Sequence, residues 1–232
     1  MKNRTIEIEE NLNKIKGEYF EKFEAYRAYL LEFNEKYNLT AIREEKDVYY
    51  KHFLDSTATA GFFEQGKSVA EIGSGAGFPS VPLKILRDDL SFTLFESVGK
   101  KCDFLNFIVD KLQFKGMNIC NMRSEDAARN ALYREKFDYG VARAVAQMNT
   151  LLEYSLPLVK KGGEFFAYKS ADKEEMEKAK NACFLLGGSG IVFYDYSLPE
   201  GYGNRTIAAV KKEKNTPQKY PRGNGKERKQ PL

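Results

Sequence analysis

The residues with the most evident chemistry lie in the run Glu71-Ile72-Gly73-Ser74-Gly75-Ala76-Gly77-Phe78-Pro79. Glycines at alternate positions let the backbone pass close to a ligand that a Cβ would block, and a helix starting behind them offers unpaired N–H groups. That is a way to bind a nucleotide-like cofactor, and the spacing narrows which one. A dinucleotide fingerprint needs G-x-G-x-x-G, but Phe78 stands where the third glycine would follow Gly73-x-Gly75, and Ser80 where it would follow Gly75-x-Gly77. A phosphate loop needs G-x-x-x-x-G-K-[ST], and no lysine follows these glycines within reach. The spacing therefore disfavours NAD and ATP.

An acid followed by G-x-G-x-G at the end of a first strand resembles the cofactor motif of the class I methyltransferases, which use S-adenosylmethionine. Glu96, nineteen residues after Gly77 at the expected end of a second strand, is placed for its carboxylate to accept hydrogen bonds from both ribose hydroxyls of such a cofactor. Methyl transfer is an in-line displacement, so the protein supplies mainly positioning and electrostatics, and a base only where the acceptor atom carries a proton. Methylation of exocyclic amines typically uses an Asn/Asp-Pro-Pro-aromatic box at the end of the fourth strand. None of the seven prolines is adjacent to another, and Val141-Ala142-Arg143-Ala144-Val145-Ala146 stands in its place. C5 methylation of pyrimidines needs an attacking thiolate, and none of Cys102, Cys120 and Cys183 follows a proline or ends an expected strand. An acceptor with a free lone pair, such as guanine N7, needs no base. That suits a chain with one histidine, His52, which is expected to be hydrogen-bonded and structural.

These residues must be held by alternating elements. Tyr19, Phe23, Tyr26, Leu30, Phe33 and Tyr37 recur at helical spacing, with Asn38 and Thr40 where that helix should stop. Short apolar runs predict strands at Val69–Ile72, Ser91–Phe95, Asn118–Met122, Phe137–Ala142 and Gly163–Tyr168. Two late strands, Ile191–Tyr196 and Thr206–Val210, flank a turn-rich Pro199–Asn204. Pro79 and Pro82 fit only the first turn of the helix after the glycines. Further helices are expected after the second strand, at Leu151–Val159 and at Asp172–Leu186. The pattern predicts an α/β chain with a mostly parallel, doubly wound sheet. It divides into an N-terminal helical extension (1–64), a cofactor-binding domain (65–212) and a basic C-terminal tail (213–232).

Composition bounds the rest. Of the 232 residues 42% are hydrophobic, with 17 Phe and 14 Tyr, which excludes disorder throughout. Three scattered cysteines suggest neither a disulfide framework nor a zinc site, so no metal is expected. The polar N-terminus and the lack of any long apolar run point to a cytoplasmic protein without a membrane. Residues 211–232 hold eight Lys/Arg against two acids, a net +6 within a total of +4. A basic end on a near-neutral body suggests a polyanionic partner, of which nucleic acid is the commonest; a solvated tail that binds nothing is the alternative.

From about Asn38 to the C-terminus the chain resembles the bacterial small-subunit ribosomal RNA methyltransferase G family, also called glucose-inhibited division protein B, whereas the N-terminal forty residues match it poorly. The resemblance is carried by Asn38-Leu39-Thr40-Ala41-Ile42, Lys51-His52-Phe53-Leu54-Asp55-Ser56, the glycine turn with Phe78-Pro79, Glu96-Ser97 with Lys100-Lys101, Arg123-Ser124-Glu125, Val141 to Ala146, and Thr216-Pro217 with Tyr220-Pro221-Arg222. It implies a class I, Rossmann-like methyltransferase with a seven-stranded sheet, acting with S-adenosylmethionine on N7 of one guanine in the 530 loop of 16S rRNA in the small ribosomal subunit. It further implies that Gly73 and Phe78 line the cofactor, that Ser124 and Glu125 lie beside its adenine, and that Arg143 reaches the site from the fourth strand. With the motif's Gly75 and Gly77 and with Glu96, these form the expected cofactor set. Arg143 is also the best candidate beside the acceptor, where it could hold a phosphate or guanine edge, a structural salt bridge being the alternative. Lys219, Tyr220, Arg222 and Lys226 mix cations with an aromatic and are the expected RNA contacts. Two departures from the family pattern are Glu71 for the usual aspartate and Ser80 for the usual glycine. A monomer is expected. A catalytically silent rRNA- or ribosome-binding module on the same fold is the alternative.

Overall fold

The computed structural model describes residues 4–40, 44–170 and 173–232. It opens with helices α1 (Ile8–Lys16), α2 (Phe20–Tyr37) and the single turn α3 (Glu45–Asp47), then a π-helical segment, Val48–Leu54, and a 3-10 segment, Thr57–Phe62. Strands β1 (Ser68–Ile72), β2 (Ser91–Glu96), β3 (Met117–Asn121), β4 (Phe137–Arg143) and β5 (Val159–Lys169) are followed by a hairpin of β6 (Gly188–Leu198) and β7 (Gly203–Lys212). Helix α4 (Ser80–Leu86) follows β1, α5 (Gly99–Lys111) follows β2, α6 (Ser124–Arg129) follows β3 and α7 (Met148–Ser155) follows β4. Helices α8 (Lys173–Lys178) and α9 (Lys180–Leu185) follow β5, and α10 (Lys226–Lys229) lies in the tail.

The seven strands form one sheet in the order β3-β2-β1-β4-β5-β7-β6. Strands β1 to β5 are parallel, and β7 runs antiparallel between β5 and β6. Chain order reverses between β1 and β4, so a ligand crevice is expected outside the carboxyl ends of those two strands. Both sheet faces are covered, and alternate residues of each strand enter different cores. Val69, Phe92, Leu94, Val141 and Phe166 pack with the N-terminal helices, α4 and α5. Ala70, Ile72, Phe95, Ala142 and Phe165 pack with α6, α7 and α9.

The helical spacing read from Tyr19 to Tyr37 corresponds to α2, whose Phe23, Tyr26 and Leu30 are fully buried, with Phe23 and Tyr26 packed on the rings of Phe53, Phe78 and Phe104. Each such side chain contributes roughly 1.5–3 kcal/mol. The helix ends where Asn38 turns left-handed at φ 50° and its N–H closes on the Asn34 carbonyl. The helix expected over Leu151–Val159 instead stops at Ser155, because Pro157 cannot donate a helical bond, and Val159 already belongs to β5. The helix expected from Asp172 to Leu186 is two short helices that meet at Ala179. Asp172, and Ala41 and Ile42 of the Asn38–Ile42 motif, lie outside the described residues.

Candidate functional site

At the end of β1, Gly73, Gly75 and Gly77 all have positive φ, at 65°, 58° and 96°. Their surroundings give them different roles. A Cβ on Gly77 would lie 2.5 Å from the Val81 side chain, and one on Gly73 3.0 Å from Val145. A Cβ on Gly75 would meet nothing within 4 Å. Gly77 therefore permits close packing, whereas Gly75 borders open space at the reversal of strand order.

Glu96, at the end of β2, turns its buried carboxylate onto this opening. One oxygen accepts the Gly75 N–H at 2.9 Å and the other accepts the Val98 N–H at 2.8 Å. Asn121, at the end of β3, donates to the Glu96 carbonyl at 3.0 Å and ties the three strand ends together. Each carboxylate oxygen keeps a further lone pair, as a ribose diol would require. Glu71 is fully buried; one of its oxygens accepts the Ser80 N–H at 3.3 Å and the other has no partner. Burial pushes its carboxyl up to about 8, with the Ser80 hydroxyl and N–H opposing the shift. The two departures from the family pattern, Glu71 and Ser80, are thus in contact. An open glycine turn, a diol-competent carboxylate and an orphaned carboxyl oxygen together fit a cofactor with a ribose and a cationic amino acid.

Arg143, at the end of β4, is only 13% exposed and is held on several sides. It donates to the Lys51 carbonyl and to Asp55 Oδ2, both at 3.0 Å, and to His52 Nδ1 at 2.7 Å. Its guanidinium lies 4.9 Å from the centre of the Phe78 ring. Asp55 also accepts the Tyr196 hydroxyl from β6 at 2.7 Å. An arginine only donates, so His52 Nδ1 is an acceptor, and the ring is neutral with its proton on Nε2, facing Thr40 Oγ1 at 2.8 Å. Burial, then the Arg143 charge, lowers its pKa to about 3. The ring stacks on Phe78 at 4.3 Å. Three of the five N–H groups of Arg143 are engaged, which leaves two for a ligand. The segment Lys51 to Asp55 thus serves Arg143, a link that no local spacing encodes.

Ser124, nearly buried, and half-buried Glu125 open α6 beside the end of β3, one strand out from Glu96. Gly75 and Glu96 are in direct contact, as are Phe78 and Arg143. The N-terminal extension adds Tyr26, whose hydroxyl donates to the Ala76 carbonyl of the turn.

The expected RNA contacts divide. Lys219 and Lys226 are exposed. Tyr220 is only 5% exposed and packs in the second core, so it presents no free face to a base. Arg222 forks onto the fully buried Glu153, at 3.0 Å through Nε and 2.8 Å through Nη2. Lys212, counted with the tail's charge, is fully buried and donates to the Leu156 and Val159 carbonyls and to Glu135. Arg129 and Arg134 fasten the tail further through the carbonyls of Pro221, Tyr220 and Thr216. Tyr220 and Arg222 are therefore corrected from free RNA contacts to the anchors of a docked tail.

A cavity of about 760 Å³ lies between α8–α9 and β6, away from the glycine turn. Among the described residues no cluster of His, Cys, Asp and Glu is arranged to hold a metal, and no helix is long and apolar enough to cross a membrane.

Comparison with known proteins gives a consistent answer. Residues 19–195 match the family model described as rRNA small subunit methyltransferase G. A protein of Lactobacillus acidophilus named ribosomal RNA small subunit methyltransferase G is 43% identical, covering 98% of this chain and 97% of its own length. One of the same name from Staphylococcus aureus is 42% identical over 100% of this chain and 95% of its own. Among solved structures, P. horikoshii TYW2 in complex with MeSAdo superposes with a TM-score of 0.55 at 14% identity, over 68% of this chain and 62% of that one. Precorrin-6y C5,15-methyltransferase from Geobacter metallireducens gives a TM-score of 0.51 at 12% identity, over 68% and 87%. Both structural likenesses concern the fold.

Proposed function

The chain belongs to the rRNA small subunit methyltransferase G family, and on that premise we propose that it transfers the methyl group of S-adenosylmethionine to N7 of a guanine in the 530 loop of 16S rRNA. The observation that carries the cofactor reading is the Glu96 carboxylate hydrogen-bonded to the N–H of Gly75, the glycine that borders open space. Glu96 would hold the ribose diol, Gly73 to Phe78 would line the cofactor, and Ser124 with Glu125 would flank its adenine. The buried, unpartnered oxygen of Glu71 is suited to the amino-acid end. When bound, the cofactor supplies a methyl group activated by a positively charged sulfur.

Guanine N7 carries a lone pair and no proton, so the chain's residues need only bind, orient and exclude water. The side chains around Arg143 agree with that demand. His52 is locked neutral between Arg143 and Thr40, and Asp55 is paired, so neither is disposed to act as a general base. The two remaining N–H groups of Arg143 suit a phosphate or guanine edge. Lys219 and Lys226, with exposed Arg228 and Lys229 of the docked tail, and exposed Lys100 and Arg123 with half-buried Lys101 near the carboxyl ends of β2 and β3, offer cations for the RNA backbone. We place the activity in the cytoplasm, in a monomer, without a metal.

Incubating the protein with small ribosomal subunits that lack the modification and radiolabelled S-adenosylmethionine should label 16S rRNA and create one alkali-labile, aniline-cleavable guanine in the 530 loop. Label elsewhere in the rRNA would refute the position. Binding to the subunits without any label would favour the catalytically silent module.

A further inference from the structure

The N-terminal extension reaches the glycine turn through one side chain. Tyr26 of α2 is fully buried, and its hydroxyl donates to the carbonyl of Ala76 at 2.5 Å, across fifty residues of sequence. Among the described residues that carbonyl accepts no backbone hydrogen bond, because the turn's own bonds from Gly77 and Phe78 go to Ser74. A Cβ on Gly77 would come within 3.3 Å of the same hydroxyl, which is therefore packed against the turn itself. The Tyr26 ring stacks on Phe53 at 5.3 Å and sits 5.6 Å from Phe78, whose face carries His52.

We infer that Tyr26 is a positioning residue for the cofactor: its hydroxyl fixes the Ala76 peptide, and so holds the Gly75 N–H and its Glu96 partner ready before a ligand arrives. This rests on the reading that S-adenosylmethionine binds at the turn. A turn with three residues at positive φ has other conformations open to it, and a ligand that must first select one of them binds more weakly. The extension is then a part of the cofactor site rather than a helix packed on a finished domain.

The test is Tyr26→Phe, which removes one oxygen, beside Leu30→Ala, which loosens α2 one turn further on without touching the turn. Calorimetry with S-adenosylhomocysteine, urea unfolding without ligand, and initial rates are measured on the full chain. For Tyr26→Phe the dissociation constant should rise on the order of fivefold. KM for S-adenosylmethionine should rise with it, while kcat at saturating cofactor stays unchanged. Leu30→Ala should lower the unfolding midpoint further yet leave the dissociation constant within about twofold of wild type. If Tyr26→Phe only lowers the midpoint, or if Leu30→Ala weakens binding as much, the hydroxyl is merely structural and the inference falls. The binding measurement needs no RNA, so it is independent of the acceptor. Absence of binding by the wild-type chain would overturn the cofactor reading and the clamp together.

Discussion

Removing the Arg222 side chain should unfasten the tail and lower stability by about 3–5 kcal/mol. Glu153 has no exposed side-chain surface, and its carboxylate accepts the Arg222 backbone N–H at 2.8 Å as well as the guanidinium fork. Arg222→Ala keeps the backbone bond but removes two charge-assisted bonds at about 1.5–3 kcal/mol each, and leaves a buried carboxylate without its cation. Against a domain stability of about 5–15 kcal/mol the loss is large. Arg222→Lys keeps the charge without the planar fork and should fall between. The assays are urea unfolding followed by far-UV circular dichroism, and amide hydrogen exchange over residues 216–229. Where the tail opens on its own, exchange reports the loss and the global transition moves less. If Arg222→Ala changed unfolding by less than about 0.5 kcal/mol, left the tail amides protected, and yet weakened RNA binding, Arg222 would be an exposed RNA contact and the anchoring argument would be wrong.

Three further outcomes are expected. Gly75→Ala should cost the fold only about 1–2 kcal/mol for its left-handed backbone while blocking the cofactor, whereas Gly77→Ala, meeting Val81 at 2.5 Å, should cost about 2–5 kcal/mol; equal unfolding losses would refute the division of roles. The single histidine, held down at about 3 by burial and Arg143, should show no movement of its ring-proton NMR signal between pH 5 and 8, and its link to stability should appear only as a loss when the pH falls below its ordinary 6.5; a midpoint near 6.5 would sink the neutral-ring assignment. Glu71 binds its proton more tightly folded than unfolded, so its contribution is complete below pH 4.5 and lost as the pH rises through about 8. Glu71→Gln should therefore gain on wild type in denaturant midpoint from pH 5 to 8, and a constant difference between the two would argue against a protonated carboxyl.

The strands and the glycine turn were legible because short apolar runs and glycine spacing are local signals. Glu96 was legible for the same reason, lying one strand beyond the turn. The Tyr26 clamp was not: helical spacing marks Tyr26 as facing a core but says nothing of a carbonyl fifty residues away. The tail was misread for a related reason. A charge count sums Lys212 and Arg222 with the exposed lysines, although their partners Glu135 and Glu153 lie 77 and 69 residues back in the chain. Pro157, visible in the sequence, should have ended the expected 151–159 helix early.

The carboxylate of Asp55 joins three distant stretches of chain: its own N-terminal segment, Arg143 88 residues on and Tyr196 141 residues on. Closing loops of that length is slow, and contacts of such separation form late. In refolding, the parallel sheet can therefore recover its circular dichroism before the β6–β7 hairpin delivers Tyr196, and methyl transfer should return after the secondary structure does. A chain stalled at that stage would look folded by spectroscopy and be inert as an enzyme.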